Sequence, residues 1–117
     1  MDNYQIEFFQ KSNGESPAED FINSLDKKIR AKFYRMLKLL KENGSNLREP
    51  YSKHLQDGIF ELRPTVSTNA VRVLYFFFVE RRIVITNGFV KKTQQTPISE
   101  IKLAQKYRNE FLKRKDN

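Results

Sequence analysis

Six side chains near the middle of this 117-residue chain have the types that chemistry on an anion needs: Lys53, His54, Arg63, Arg72, Lys91 and Lys92. Arginine presents a planar fork that binds two phosphate oxygens at once. Lysine can move a proton when burial or neighbouring cations lower its pKa towards neutrality. Histidine titrates at about 6.5 without perturbation. Arg63 closes the run Gly58-Ile59-Phe60-Glu61-Leu62-Arg63, Arg72 lies near the start of Ala70 to Val79, and Lys91-Lys92 follow Ile83 to Val90. Each run is rich in β-branched and aromatic residues and bounded by polar breaks, which predicts three consecutive antiparallel strands. Cations therefore stand on or at the end of all three. Arg72 shares a strand face with Leu74 and Phe76, and an unpaired charge there is costly, so it requires an anionic or polar partner.

Plainer readings stand beside these. Arg63 and Glu61 fall on one strand face and can pair with each other. Two adjacent lysines commonly form a solvated strand end, and a lone loop histidine is commonly exposed and inert. Lys53 contacts phosphate only if its loop folds over the sheet. Phe76, Phe77 and Phe78 read as core on both faces of the sheet, since alternation sends them to opposite sides.

The length fits one domain spanning residues 1–117. Ten Phe and five Tyr supply much of its core, and 22 Lys and Arg against 14 Asp and Glu leave a net charge of +8. So basic a domain favours an anionic partner: nucleic acid, an acidic protein segment or a membrane surface. The absence of cysteine excludes disulfides, thiolate catalysis and cysteine-ligated metal, and a single histidine excludes a histidine-rich metal site. No cofactor or metal is expected. The N-terminal residues carry no basic-then-apolar leader, and the longest apolar run, Val73 to Val79, is far short of the about 20 residues that cross a bilayer. A cytoplasmic protein with no membrane partner is the expectation.

The elements that must hold the cations follow in order. Tyr4 to Phe9 alternates as a short strand. Ser16-Pro17-Ala18-Glu19 predicts a helix start, with Ser16 and Glu19 as a capping box and Pro17 at the first helical position; that helix ends near Leu25. A second helix, from about Asp26 to Glu42, has an apolar stripe of Ile29, Phe33, Met36, Leu37 and Leu40 and ends at Asn43-Gly44. Ser45 to Asp57 reads as loop, with at most one helical turn. Pro64 to Asn69 is a turn, and Glu80-Arg81-Arg82 a tight connection. Thr96-Pro97 opens a last helix packed through Ile101, Ala104, Tyr107 and Phe111, with a charged tail after it. The expected fold is α+β: a small antiparallel sheet in the order β-α-α-β-β-β-α, with helices packed on one face and the other partly open.

Three segments carry a family resemblance: Lys53 through Arg63, Val71-Arg72-Val73-Leu74-Tyr75-Phe76, and Gly88-Phe89-Val90-Lys91-Lys92-Thr93-Gln94-Gln95-Thr96-Pro97. Together with the element order, they resemble the small bacterial toxins of the RelE/ParE superfamily, and more closely its HigB-like, phage-derived branch. The resemblance implies a RelE-like fold and a type II toxin that cuts messenger RNA on the ribosome. It also implies a cognate antitoxin, of a helix-turn-helix, HigA-like kind. Arg63, Arg72, Lys91 and Lys92 match the positions where the RNA-cleaving members place basic active-site groups. Some relatives add a late tyrosine or histidine. Here no histidine follows His54, and Tyr107 falls in a helix packing pattern, so the general acid and base stay unassigned.

Cleavage of RNA by its own 2′-hydroxyl requires removal of that hydroxyl proton, stabilisation of charge on the phosphate and protonation of the 5′-oxygen. Arg63 and Arg72 suit the second task and a lysine of the 91–92 pair suits proton transfer, while Lys53 and His54 are candidate RNA contacts. The leading expectation is thus an endoribonuclease without a metal, with ribosome and messenger as partners. The alternatives are a ParE-like inhibitor of DNA gyrase and a non-catalytic RNA- or protein-binding module.

Overall fold

The computed structural model describes residues 3–64 and 71–115. The expected turn, beyond Pro64, and the expected strand start at Ala70 lie outside them. The elements are β1 (Gln5–Phe8), α1 (Pro17–Asn23), α2 (Lys27–Asn43), a single 3-10 turn (Gly44–Asn46), β2 (Ser52–Gln56), β3 (Ile59–Leu62), β4 (Val71–Phe78), β5 (Arg82–Val90) and α3 (Ile98–Lys115). The five strands form one sheet in the order β1-β5-β4-β3-β2. No helix among the described residues is long and apolar enough to cross a membrane.

Four expectations are corrected. The sheet is mixed, because β1 runs parallel to β5 while the other neighbours are antiparallel. A parallel neighbour needs a long crossover, and the α1–α2 segment that leads away from β1 is long enough. Bidentate bonds from Arg82 to Glu7, at 2.8 and 3.1 Å, fasten this pair. Secondly, the segment expected to be loop contains β2, which makes the order β-α-α-β-β-β-β-α. It is a polar edge strand with exposed Lys53 and His54, so it lacks the apolar alternation of a strand covered on one side. Its hairpin to β3 turns at Asp57 and Gly58, with φ of 52° and 75°, the left-handed pair typical of a two-residue Asp-Gly turn.

The third correction concerns the helices, which cover both faces rather than one. Ala18 and Ile22 of α1 and Phe33, Met36, Leu37 and Leu40 of α2 pack on Leu62, Val71, Val73, Tyr75, Ile83 and Ile85. On the opposite face Ala104, Tyr107 and Phe111 of α3 pack on Ile59, Leu74, Phe76, Val84 and Phe89. The run Val73 to Phe78 is continuous because its strand is buried on both sides. Fourthly, Ser16 precedes α1 in extended backbone, but its hydroxyl donates to the Phe9 carbonyl at 3.3 Å instead of capping the helix, so the capping box does not form.

At Gly88 the sheet lies close against α1. A Cβ there would lie 2.3 Å from Cδ2 of Phe21 on α1. Gly88→Ala should therefore destabilise by about 1–3 kcal/mol through overpacking; urea unfolding at neutral pH measures it, with an unchanged midpoint as the contrary result.

Candidate anion-binding site

The site lies on the α3 side of the sheet, beyond the first turn of that helix. Cross-strand register sets out its floor. Lys53 on β2 lies opposite Glu61 on β3, and Glu61 lies opposite Leu74 on β4. Arg72 lies opposite Phe89 on β5. Partners of this kind share a face, so Lys53, Glu61 and Arg72 all look towards α3.

Lys91 arrives there through a bulge. Before it, Ile83 and Ile85 face α1 and α2 while Val84 faces α3. Tyr75 is paired with Ile85 but Leu74 with Asn87, so Thr86 is the extra residue. One extra residue reverses the alternation downstream. Asn87 and Phe89 consequently turn to α3, and Lys91 follows. Thr86 is fully buried, its hydroxyl 3.2 Å from the Leu74 carbonyl and 2.7 Å from Asn87 Oδ1. Asn87 Nδ2 in turn donates to the carbonyl and the Oε1 of Glu100, at 3.3 and 3.1 Å, which fixes the start of α3.

Glu61 is at the centre, with no exposed surface. Arg63 Nε donates to its Oε1 at 2.9 Å. Arg72 Nε forms an ion pair with the same oxygen at 3.5 Å, and Arg72 Nη1 donates to the Val71 carbonyl at 3.0 Å. Thr96 Oγ1 donates to Glu61 Oε2. The Arg63–Glu61 pairing that alternation suggested is present, and the partner that Arg72 required is the same carboxylate. Arg63 also meets the exposed Glu49 at 3.8 Å, and its backbone N–H donates to the Tyr51 carbonyl at 2.8 Å.

The electrostatics follow from this crowding. Burial pushes the Glu61 carboxyl up, but hydrogen bonds from Thr96 and Arg63 and the charges of Lys91 and Arg63 outweigh it and hold the group below its ordinary 4.5. Burial pulls the Arg72 guanidinium down, opposed by Glu61 and assisted by Arg63. Burial likewise lowers Lys91, with Arg72, Arg63 and Lys53 adding repulsion against the attraction of Glu61.

Five of the six cationic or titratable candidates come together. Lys53, Arg63, Arg72, Lys91 and Lys92 line one open concavity of about 700 Å³, with Thr93 and Gln94 on its rim. Both lysines of the pair reach it because β5 ends at Val90 and the chain leaves strand geometry there. His54 lies apart. It points to the other side of β2, where its Nε2 accepts the Gly58 N–H at 3.1 Å and its ring meets Phe60 edge-on at 5.0 Å. It lines a second hollow of about 360 Å³ with Ser45 and Arg48, which meets the first only at Lys53. Tyr107 is buried and stacked on Phe9 at 4.7 Å, a packing role. Sequence reasoning passed over Thr96 as a helix opener and treated Glu61 only as a neighbour of Arg63. An acidic residue between apolar neighbours on a strand flanked by cations was the available signal. Among the described residues, no group of three His, Asp or Glu side chains is placed to hold a metal ion.

Residues 20–109 match the family model described as "Phage derived protein Gp49-like (DUF891)". No curated protein matches the chain. Among solved structures, the archaeal RelE–RelB complex from Pyrococcus horikoshii OT3 contains a chain of the same fold, with a TM-score of 0.58 at 16% identity over 77% of this chain and 97% of that one.

The lowered Glu61 pKa sets a pH dependence. A depressed carboxyl contributes stability that is complete above its unfolded value of 4.5 and is lost as pH falls through the lower folded value. Wild type should exceed Glu61→Gln by about 3 kcal/mol at pH 7, and the gap should close as pH falls below 4.5. Urea unfolding of both proteins from pH 7 to pH 3 checks this; a gap that does not change with pH is the contrary result.

Proposed function

This chain belongs to the phage-derived Gp49-like family, and we propose that it is the toxin of a type II toxin–antitoxin system, a ribosome-dependent endoribonuclease that cuts messenger RNA. The observation that carries the reading is the convergence of Lys53, Arg63, Arg72, Lys91 and Lys92 on one open concavity. A similarly folded RelE is found in complex with RelB, which supports an antitoxin as this chain's partner. A net charge of +8 suits an acidic segment on that partner as well as a phosphate backbone.

The chemistry needs only the scissile nucleotide and these side chains. Arg63 and Arg72 hold the non-bridging phosphate oxygens and stabilise the charge that builds there. The 2′-hydroxyl loses its proton, its oxygen attacks phosphorus, and the bond from phosphorus to the 5′-oxygen breaks. A proton reaches that oxygen, leaving a 2′,3′-cyclic phosphate and a free 5′-hydroxyl. Lys91 is the proton-transfer group, because it lines the same concavity as the two arginines, and burial with Arg72, Arg63 and Lys53 beside it outweighs the attraction of Glu61 and lowers its pKa. Lys53 and Lys92 contact flanking phosphates, and the ribosome presents the strand.

The test is to induce the protein in a bacterial host without its partner and map new 5′ ends on translated and untranslated copies of one message. Cuts should appear in the translated copy alone. Lys91→Ala should slow cutting by on the order of 100-fold, the scale of a lost acid–base group. Lys53→Ala combined with Lys92→Ala should weaken RNA binding and leave the thermal midpoint unchanged. Growth arrest without cuts would replace this reading with gyrase inhibition, and neither effect from folded protein would leave a binding module.

A further inference from the structure

Glu61 has no task in that chemistry. It has no exposed surface, so it does not reach substrate, and an anion beneath a phosphate repels it. Buried ion pairs also contribute little net stability compared with well-packed apolar residues. Its two oxygens are nevertheless divided in an orderly way. Oε1 accepts a hydrogen bond from Arg63 Nε at 2.9 Å and forms an ion pair with Arg72 Nε at 3.5 Å, a buried nitrogen that makes no hydrogen bond among the described residues. Oε2 takes Thr96, four residues beyond Lys92 on the segment that runs into α3.

We propose that Glu61 is the positioning residue of this site, holding the Arg63 and Arg72 guanidiniums side by side through one oxygen and tying the lysine-bearing segment to the sheet through the other. Two guanidiniums brought together without an anion repel each other and splay towards solvent. One buried negative charge removes that repulsion and still leaves the five surrounding cations in excess. Thr96 closes the arrangement, because the chain from Lys91 to Thr96 is anchored at its far end on the same carboxylate that fixes the arginines. The geometry of the phosphate-binding fork and the placement of Lys91 thus depend on a single side chain that touches neither substrate nor solvent. The inference deepens the nuclease reading and rests on it for its kinetic arm alone.

The test compares wild type, Glu61→Gln, Glu61→Asp and Thr96→Val in three measurements. These are single-turnover cleavage on programmed ribosomes, thermal unfolding, and NMR of the arginine Nε–H groups in ¹⁵N-arginine-labelled protein. Folded Glu61→Gln should cut on the order of 100-fold more slowly at saturating ribosome, the scale of a misplaced catalytic group, with its half-saturating concentration little changed. Its Arg63 and Arg72 Nε–H signals should broaden into exchange with water. Glu61→Asp, which keeps the charge, should recover part of the rate and both signals. Cleavage and Nε–H signals at wild-type values in folded Glu61→Gln would overturn the proposal. If that variant does not fold, Thr96→Val decides: a fall in rate of about tenfold at a nearly unchanged thermal midpoint supports the proposal, and an unchanged rate overturns it. If wild type cuts nothing, the nuclease reading fails, and the Nε–H signals alone decide whether Glu61 positions the arginines.

Discussion

A carboxylate with no access to water stays ionised only if cations and hydrogen-bond donors come to it, and the Glu61 carboxylate imposes that constraint here. It sits in the second-to-last position of β3, between apolar neighbours Phe60 and Leu62. Arg63 and Arg72 pair with it from two strands or strand ends, Lys91 adds its charge from a third, and Thr96 bonds it from the entry to α3. The sheet makes this meeting possible, because antiparallel register puts Lys53, Glu61 and Arg72 in neighbouring rows on one face. The cationic concavity is the outward side of the same cluster. Charge placed to satisfy one buried anion is also charge presented to an external one.

Much of the fold was legible because its signals are local. The stripe of α2 and the packing face of α3 are periodic, and each of their predicted apolar anchors is buried or packed against the core. The runs of β3, β4 and β5 are dense in residues that favour strands. What escaped was non-local or polar. β2 is an edge strand whose outward residues are Lys53 and His54, so only the Asp57-Gly58 turn announced it. The parallel pairing of β1 depends on which sheet edge the chain returns to, and the side on which α3 packs depends on the path after β5. Neither is written in a periodicity.

At the site, residue types were readable and directions were not. Simple alternation from Ile83 would have sent Lys91 to the α1–α2 side. The extra residue at Thr86 reverses that, and nothing in Ile83-Val84-Ile85-Thr86-Asn87-Gly88 marks where the reversal falls. Adjacent Lys53 and His54 looked equivalent in the sequence, yet a strand separates neighbours by half a turn. One therefore lines the cationic concavity and the other packs against Phe60. The requirement that Arg72 have a partner could be stated in advance. The identity of that partner needed the register of β3 against β4.

The fastenings contributed by α3 and its lead-in also have a consequence for biosynthesis. Thr96 holds Glu61, Glu100 holds Asn87, and Arg108 grips both the carbonyl and the carboxylate of Asp57 at the tip of the β2–β3 hairpin. All three donors or acceptors come from the last quarter of the chain, while the groups they fix were made earlier. A chain emerging from the ribosome can pair Glu61 with Arg63 and Arg72 once β3 and β4 are made, but it cannot tie the lysine-bearing segment to that carboxylate until Thr96 and α3 are synthesised and docked. Assembly of the cationic site is thus completed only after residues 96–115 are made, and a shorter nascent chain carries the side chains without the full arrangement.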